Sequence, residues 1–227
     1  MPFFSMRNKP SLDTAASATV IAALLALGLT ASHEANAAAT VYDNLASSQD
    51  GSDPVLSYGP LADSFMTGAN AAQVLSGIQA MLKNDGPDVV GSIHVGLHAD
   101  SGNAPGAELV SLGDLSSAGI ASAAFAPHDF TPIAPFTLAQ NTKYWVQIDA
   151  VTPNAVSWSW SNDATALGVA GQSNHSATLG TSPNSSFGPY QMSVTVAAVP
   201  EPDGLILAAA GLGCVGASRL RRRGIGQ

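Results

Sequence analysis

Cysteine is nearly absent from this 227-residue chain: Cys214 is the only one, close to the C-terminus. One thiol forms no intramolecular disulfide, so the domain must rest on an ordinary hydrophobic core. Basic side chains are scarce as well. Between Thr40 and Val199, Lys83 and Lys143 stand against twelve acidic residues, a formal charge of −10 that the whole-chain −8 understates. Nucleic acid repels such a surface and needs a basic stripe, so that class of partner is excluded. The balance suits a solvated extracellular protein or calcium-assisted adhesion. No helical period of useful length crosses this stretch, apart from a short helical turn expected at Ala107–Leu112, and no strong internal repeat appears.

Catalytic patterns are thin too. His128-Asp129 and His175 have no G-x-S-x-G or similar nucleophile motif beside them, so only distant segments would assemble a triad, and a non-enzyme is expected. His94 and His98 stand four apart. That is ligand spacing on a helix, but on a strand it separates them by about 13 Å, too far to share one ion. Two exposed strand histidines are expected, with no metal site and no cofactor. Asp100-Ser-Gly-Asn103 and Asp50-Gly-Ser-Asp53 offer oxygens that suit calcium, yet neither fits the twelve-residue calcium loop, and tight turns need the same residues.

What the middle of the chain does have is a period of two, the mark of strands. Ser92–His98, Tyr144–Asp149, Val156–Ser161 and Met192–Val196 alternate, and Ile78, Ala80 and Leu82 make a fifth run. Turn-forming stretches separate them at Asn84–Pro87, Asp100–Gly106 and Thr181–Ser186. Many short strands between such turns predict an all-β fold, an antiparallel β-sandwich of jelly-roll type. Trp158, Trp160 and Tyr144 are the candidates for stacking on sugar rings. Val156 shares the tryptophans' face with Ser157, Ser159 and Ser161 opposite, so a core role competes with that reading. Asn174-His-Ser176 and Asn184-Ser-Ser186 fit the N-glycosylation pattern, which bacterial proteins rarely use.

The two ends differ from the middle. Arg7 and Lys9 precede an apolar stretch from Ala18 to Ala31, and small residues follow through Ala35-Asn36-Ala37-Ala38-Ala39. That order marks a secretory signal peptide over 1–37, cleaved after Ala37, with Ala39 as the competing site. At the other end come Val199-Pro200-Glu201-Pro202, an apolar run from Leu205 to Ala217, and the basic cluster Arg219, Arg221, Arg222 and Arg223. The run has no polar face, so it reads as a single short transmembrane helix. Its 13 residues span roughly 20 Å against a hydrocarbon core of about 30 Å, a length that suits a temporary anchor. The arginines belong on the cytoplasmic side, which leaves the 38–198 body outside the inner membrane.

Val199 to Arg223 resembles the PEP-CTERM sorting signal of exported proteins in Gram-negative bacteria. The resemblance implies that an exosortase recognises the motif, removes the tail within 199–227 and passes the protein to the cell surface or extracellular matrix. Two prolines hold an extended segment around Glu201, which would make that residue a substrate feature. Tyr42-Asp43-Asn44-Leu45, Leu61-Ala-Asp-Ser-Phe65, the run from Ile93 through Gly106 and Phe136–Trp145 are similar to the choice-of-anchor R domain, over roughly Thr40 to Val196. That family implies a bacterial surface domain and brings no catalytic residues. The expected function is a structural or adhesive role at the surface or in an exopolysaccharide biofilm matrix, with signal peptidase and exosortase as processing partners and only transient contact with the inner membrane. A carbohydrate-binding module of that matrix is the alternative.

Overall fold

The computed structural model describes residues 38–69, 73–185 and 188–198. The expected signal peptide with its Ala37 site, the motif Val199–Pro202, the tail helix and the arginine cluster lie outside the described residues. Thirteen strands occur among those described: β1 Ala39–Asp43, β2 Gly51–Pro54, β3 Leu61–Met66, β4 Gln73–Asn84, β5 Ser92–Asp100, β6 Pro105–Ser116, β7 Ala126–Phe130, β8 Thr137–Leu138, β9 Lys143–Ala150, β10 Val156–Trp160, β11 Ser173–Ser176, β12 Gly180–Pro183 and β13 Met192–Ala198. One helical turn, α1 (Val55–Tyr58), and a 3-10 turn at Ser117–Gly119 complete the set. No helix among the described residues is long and apolar enough to cross a membrane.

Every strand pair among the described residues is antiparallel, so they form an all-β fold with two sheets. The first runs β1-β13-β4-β10-β2, with β7 and β8 also on β4, and the second runs β12-β11-β3-β9-β5-β6. The long β4 organises the first sheet. It pairs with β13 over Gln73–Ala80 and with β10 over Leu82–Asn84, while β7 covers Ile78–Leu82 and β8 covers Gln73–Val74.

All five alternating runs are strands, in β4, β5, β9, β10 and β13. Ile93, Val95 and Leu97 of β5 are fully buried, as are Val146 and Ile148 of β9, and they join Ile78, Leu82 and Val194 of the first sheet in one cluster. Burying each such side chain contributes about 1.5–3 kcal/mol, which supports a body without a disulfide.

Three expectations need correction. Ala107–Leu112 is part of strand β6, because pairing with β5 outweighs the weak local helical signal. Gly180–Pro183 is strand β12, so only the end of the expected Thr181–Ser186 turn remains a turn. Ser157, Ser159 and Ser161 do not face solvent but are as buried as Val156 and Trp158. Their hydroxyls are satisfied where the outer face of β10 is covered: Ser157 donates to Asp85 at 2.6 Å, Ser159 donates to Gln191 at 2.5 Å, and Ser161 accepts from the Asp163 amide at 3.1 Å.

Polar groups also enter the space between the sheets. Leu61, Asp63 and Phe65 of β3 lie opposite Ile148, Val146 and Tyr144 of β9, which places a carboxyl on the apolar inner face. Asp63 is fully buried; its Oδ1 accepts from Asn184 Nδ2 at 2.9 Å and its Oδ2 from the Tyr42 hydroxyl at 3.4 Å. Burial pushes its pKa well above the ordinary carboxylate range, against the opposing pull of Asn184, Tyr42 and the Tyr190 and Ser64 amides. Nearby, the Asn44 side chain donates to the Tyr190 carbonyl at 3.1 Å and accepts from the Met192 amide at 2.7 Å. These contacts fasten the N-terminal strand to β3 and to the segment entering β13.

Backbone geometry closes the same region at Gly168, which has φ +76° and packs where a Cβ would come within 2.5 Å of the Val41 carbonyl oxygen. Gly171 has a similar φ of +79° but nothing within 4 Å of such a Cβ. Gly171→Ala should therefore lose only the left-handed backbone cost of about 1–2 kcal/mol. Gly168→Ala should lose clearly more, read as a larger fall in the urea midpoint; equal losses would contradict close packing against β1.

Candidate functional site

The three aromatic candidates do not form a common exposed platform. Tyr144 is buried between the sheets, stacked on Phe65 at 5.8 Å and edge-on to Phe136 at 6.3 Å, with its hydroxyl accepting from the Ala139 amide at 2.8 Å. Trp158 is fully buried, stacks on Tyr190 at 4.7 Å and donates from Nε1 to the Gln191 carbonyl at 2.9 Å. Neither ring offers a face to a sugar, so the expectation of stacking at Tyr144 and Trp158 is corrected: packing in the core takes both. Trp160 is half-buried against the same core, and Gly51 and Gly188 lie so close to its indole that a Cβ on either would collide with it. Those glycines are the shape the sequence needs to seat a large ring beside backbone.

The two oxygen-rich loops use their oxygens internally. Asp100 accepts from Trp145 Nε1 at 2.8 Å and from the Asn103 amide at 3.4 Å, while Asn103 Oδ1 accepts from Lys143 at 2.9 Å. Gly102 and Asn103 both have φ +65°, the left-handed geometry that Gly and Asn tolerate in a tight turn. Asp50 Oδ2 accepts from the Asn162 amide at 2.6 Å, and Asp53 Oδ2 accepts from the Tyr190 hydroxyl at 2.7 Å. The Asp100–Asn103 cluster is thus turn chemistry, whereas the turn expected at Asp50–Asp53 is corrected: Gly51–Asp53 belong to β2, paired with β10, and the carboxylates of Asp50 and Asp53 anchor neighbouring segments.

The histidines divide differently from the expectation of exposed strand positions. His128 lies on β7 and His175 on β11, in separate sheets. His175 Nδ1 meets the Thr181 hydroxyl at 2.8 Å, and burial lowers its pKa. Burial likewise lowers that of His128, against the adjacent Asp129. His94 meets two carboxylates and no hydroxyl, so no described histidine joins a hydroxyl and a carboxylate as a triad requires.

His94 and His98 share the outer face of β5 with Gly96 between them, and the edge strand β6 lays acidic residues over that face. In the antiparallel register His98 is opposite Glu108 and His94 opposite Asp114, with bulges in between. His94 Nδ1 lies 2.7 Å from Asp114 Oδ1 and Nε2 lies 3.2 Å from Glu108 Oε1. Burial opposes its protonation, but hydrogen bonds to Asp114 and Glu108 leave its pKa raised overall. His98 is 7 % exposed, which corrects the expectation that it faces solvent. Its register partner on the other side is the fully buried Trp145, whose ring lies edge-on to His175 at 6.4 Å. Sequence reasoning singled out neither Glu108 nor Asp114. The available signal was the Asp100–Gly106 turn, because a hairpin centred there brings His98 and Glu108 together.

Truncating Trp158 to Ala should cost about 3–5 kcal/mol of folding stability, as expected for a fully buried large ring. Tyr144→Phe should cost about 1–3 kcal/mol by leaving the Ala139 amide unpaired. Urea unfolding measures both, and losses within error of zero would place these rings outside the core.

No protein-family model matches the chain, and no curated protein matches it.

Proposed function

We propose that the chain is an exported bacterial surface or extracellular-matrix protein, carried out by its signal peptide and sorted through a PEP-CTERM-like tail by an exosortase. The observation that carries this reading is the pairing of two processing signals on one chain: an A-x-A site ending at Ala37, and Val199-Pro200-Glu201-Pro202 followed by an apolar run and Arg219–Arg223. The strand boundaries support it. β1 begins at Ala39, just past the first signal, and β13 is described as far as Ala198, so the paired strands lie between the two signals. Either cut would leave the paired strands nearly whole.

The mature body would be a β-sandwich of jelly-roll type resembling the choice-of-anchor R domain. Long-range pairing of β1 with β13 and of β3 with β9, nested around the β5–β6 hairpin, supports the roll. Its role is structural or adhesive, and its strongly acidic surface suits a hydrated matrix. The alternative, a carbohydrate-binding module of the exopolysaccharide, loses the Tyr144 and Trp158 rings to the core and retains only Trp160.

Mass spectrometry of the mature protein tests the sorting reading. The expected species begins at Ala38 and lacks the terminal Gly226-Gln227; an intact C-terminus in the released protein would refute it. Pro200→Ala and Glu201→Ala chains should accumulate in the inner membrane, and release at the normal level would count against recognition of the motif.

A further inference from the structure

We propose that His94, His98 and Glu108 form a site for one divalent transition-metal ion of zinc's class on the outer face of the second sheet, with Asp114 as a positioning residue. The site is independent of how the chain is sorted. It begins with a gap: Gly96 lies between the two histidines on the same face of β5. A Cβ at Gly96 would stand 3.0 Å from His98 Nε2 and 3.1 Å from the Glu108 carboxyl carbon. The imidazole and the carboxylate therefore converge on one small space that glycine leaves open.

One partner orients His98. Its Nδ1 lies 2.9 Å from the Gly106 carbonyl oxygen, which only accepts, so Nδ1 carries a proton and Nε2 is the nitrogen whose lone pair a neutral ring would offer to a ligand. That Nε2 is buried without a hydrogen-bond partner, in a residue 7 % exposed. It faces the space shared with Glu108, and a carboxylate has no proton to offer it. A lone pair and an anion side by side are stabilised by a cation between them.

His94 repeats the arrangement from the other side. Asp114 Oδ1, 2.7 Å from Nδ1, orients the ring, and Nε2 points to Glu108 Oε1 at 3.2 Å. A histidine whose Nδ1–H is held by a carboxylate or a carbonyl, leaving Nε2 for a ligand, is how proteins present imidazole to a metal. Both histidines satisfy that description. In the absence of an ion, a proton on His94 Nε2 fills the same place against Glu108.

The separation of about 13 Å between positions four apart on a strand is a backbone distance. It does not count rings that lean toward each other over Gly96. No three His, Cys, Asp or Glu side chains among the described residues yet close around one point. Closure here requires rotation of Glu108, whose side chain is 38 % exposed on an edge strand. Two imidazole nitrogens and one carboxylate, with a position left for water, form a donor set that suits zinc, whereas calcium and magnesium prefer oxygen throughout.

The test titrates the untagged, EDTA-stripped full chain with zinc chloride by calorimetry in a non-chelating buffer, with calcium chloride as the comparison. One ion per chain should bind with micromolar or tighter affinity, and calcium should give no saturable heat. His98→Gln should weaken binding at least tenfold, and Asp114→Asn about 10–100-fold. Gly96→Ala keeps every ligand but fills the gap, and should also weaken binding at least tenfold. Zinc should raise the urea midpoint of the native sequence but not that of His98→Gln. Were His98→Gln not to fold, Glu108→Gln decides in its place. Absence of saturable zinc uptake, or affinity unchanged in Gly96→Ala and in the ligand variant, would overturn the proposal.

Discussion

The structure depends on one buried carboxyl. Asp63 sits on the inner face of β3 among Leu61, Phe65 and Val146, where ionisation is strongly disfavoured. The fold accepts it because Asn184, Tyr42 and two backbone amides turn toward it. Three of those donors come from β1, from the turn after β12 and from the segment leading into β13, parts of the chain that share no local sequence, while the fourth, the Ser64 amide, is the next residue of β3 itself. In a body without a disulfide, that convergence does work that covalent bridges do in many small exported domains. An unsatisfied buried polar group costs about 1–3 kcal/mol, so each contact around Asp63 penalises alternative packings as well as stabilising this one.

The same constraint explains which parts of the fold were legible in the sequence. Alternation worked where one face is apolar and the other polar, as in Ile93-His-Val95-Gly-Leu97. It failed for β3, where Asp63 and Ser64 are as buried as Leu61 and Phe65. It half-failed for β10, a strand between β4 and β2 whose serines are covered on the outside. A polar residue in a string of letters reads as exposed, and only the partners that satisfy it, remote in sequence, reveal otherwise. Tyr42, Asn44 and Asp63 were conspicuous in the sequence for their resemblance to a surface-domain family. In space they or their immediate neighbours form the buried network that fastens the first strand.

The outer face of β5 followed a related logic. His94 and His98 were visible as a pair, and the strand period placed them on one face. What the sequence did not show is that Gly96 removes the side chain between them and that the hairpin register brings Glu108 and Asp114 across from β6. Aromatic residues erred in the opposite direction. Trp158 and Tyr144 carry the right chemistry for sugar stacking, but large rings are also what a sandwich core most needs. In the proposed role the processing signals would reside in 1–37 and 199–227, apart from the acidic β-sheet body, so the body and its signals would make separate contributions.

The most direct test of this account is a carbon-13 NMR titration of the Asp63 side-chain carboxyl. Its resonance should remain that of a neutral acid well above the ordinary aspartate pKa of about 3.9. A midpoint for Asp63 at or below the ordinary value would show a carboxylate whose donors outweigh its burial, and would contradict two sheets packed around a carboxyl that burial holds back from ionising.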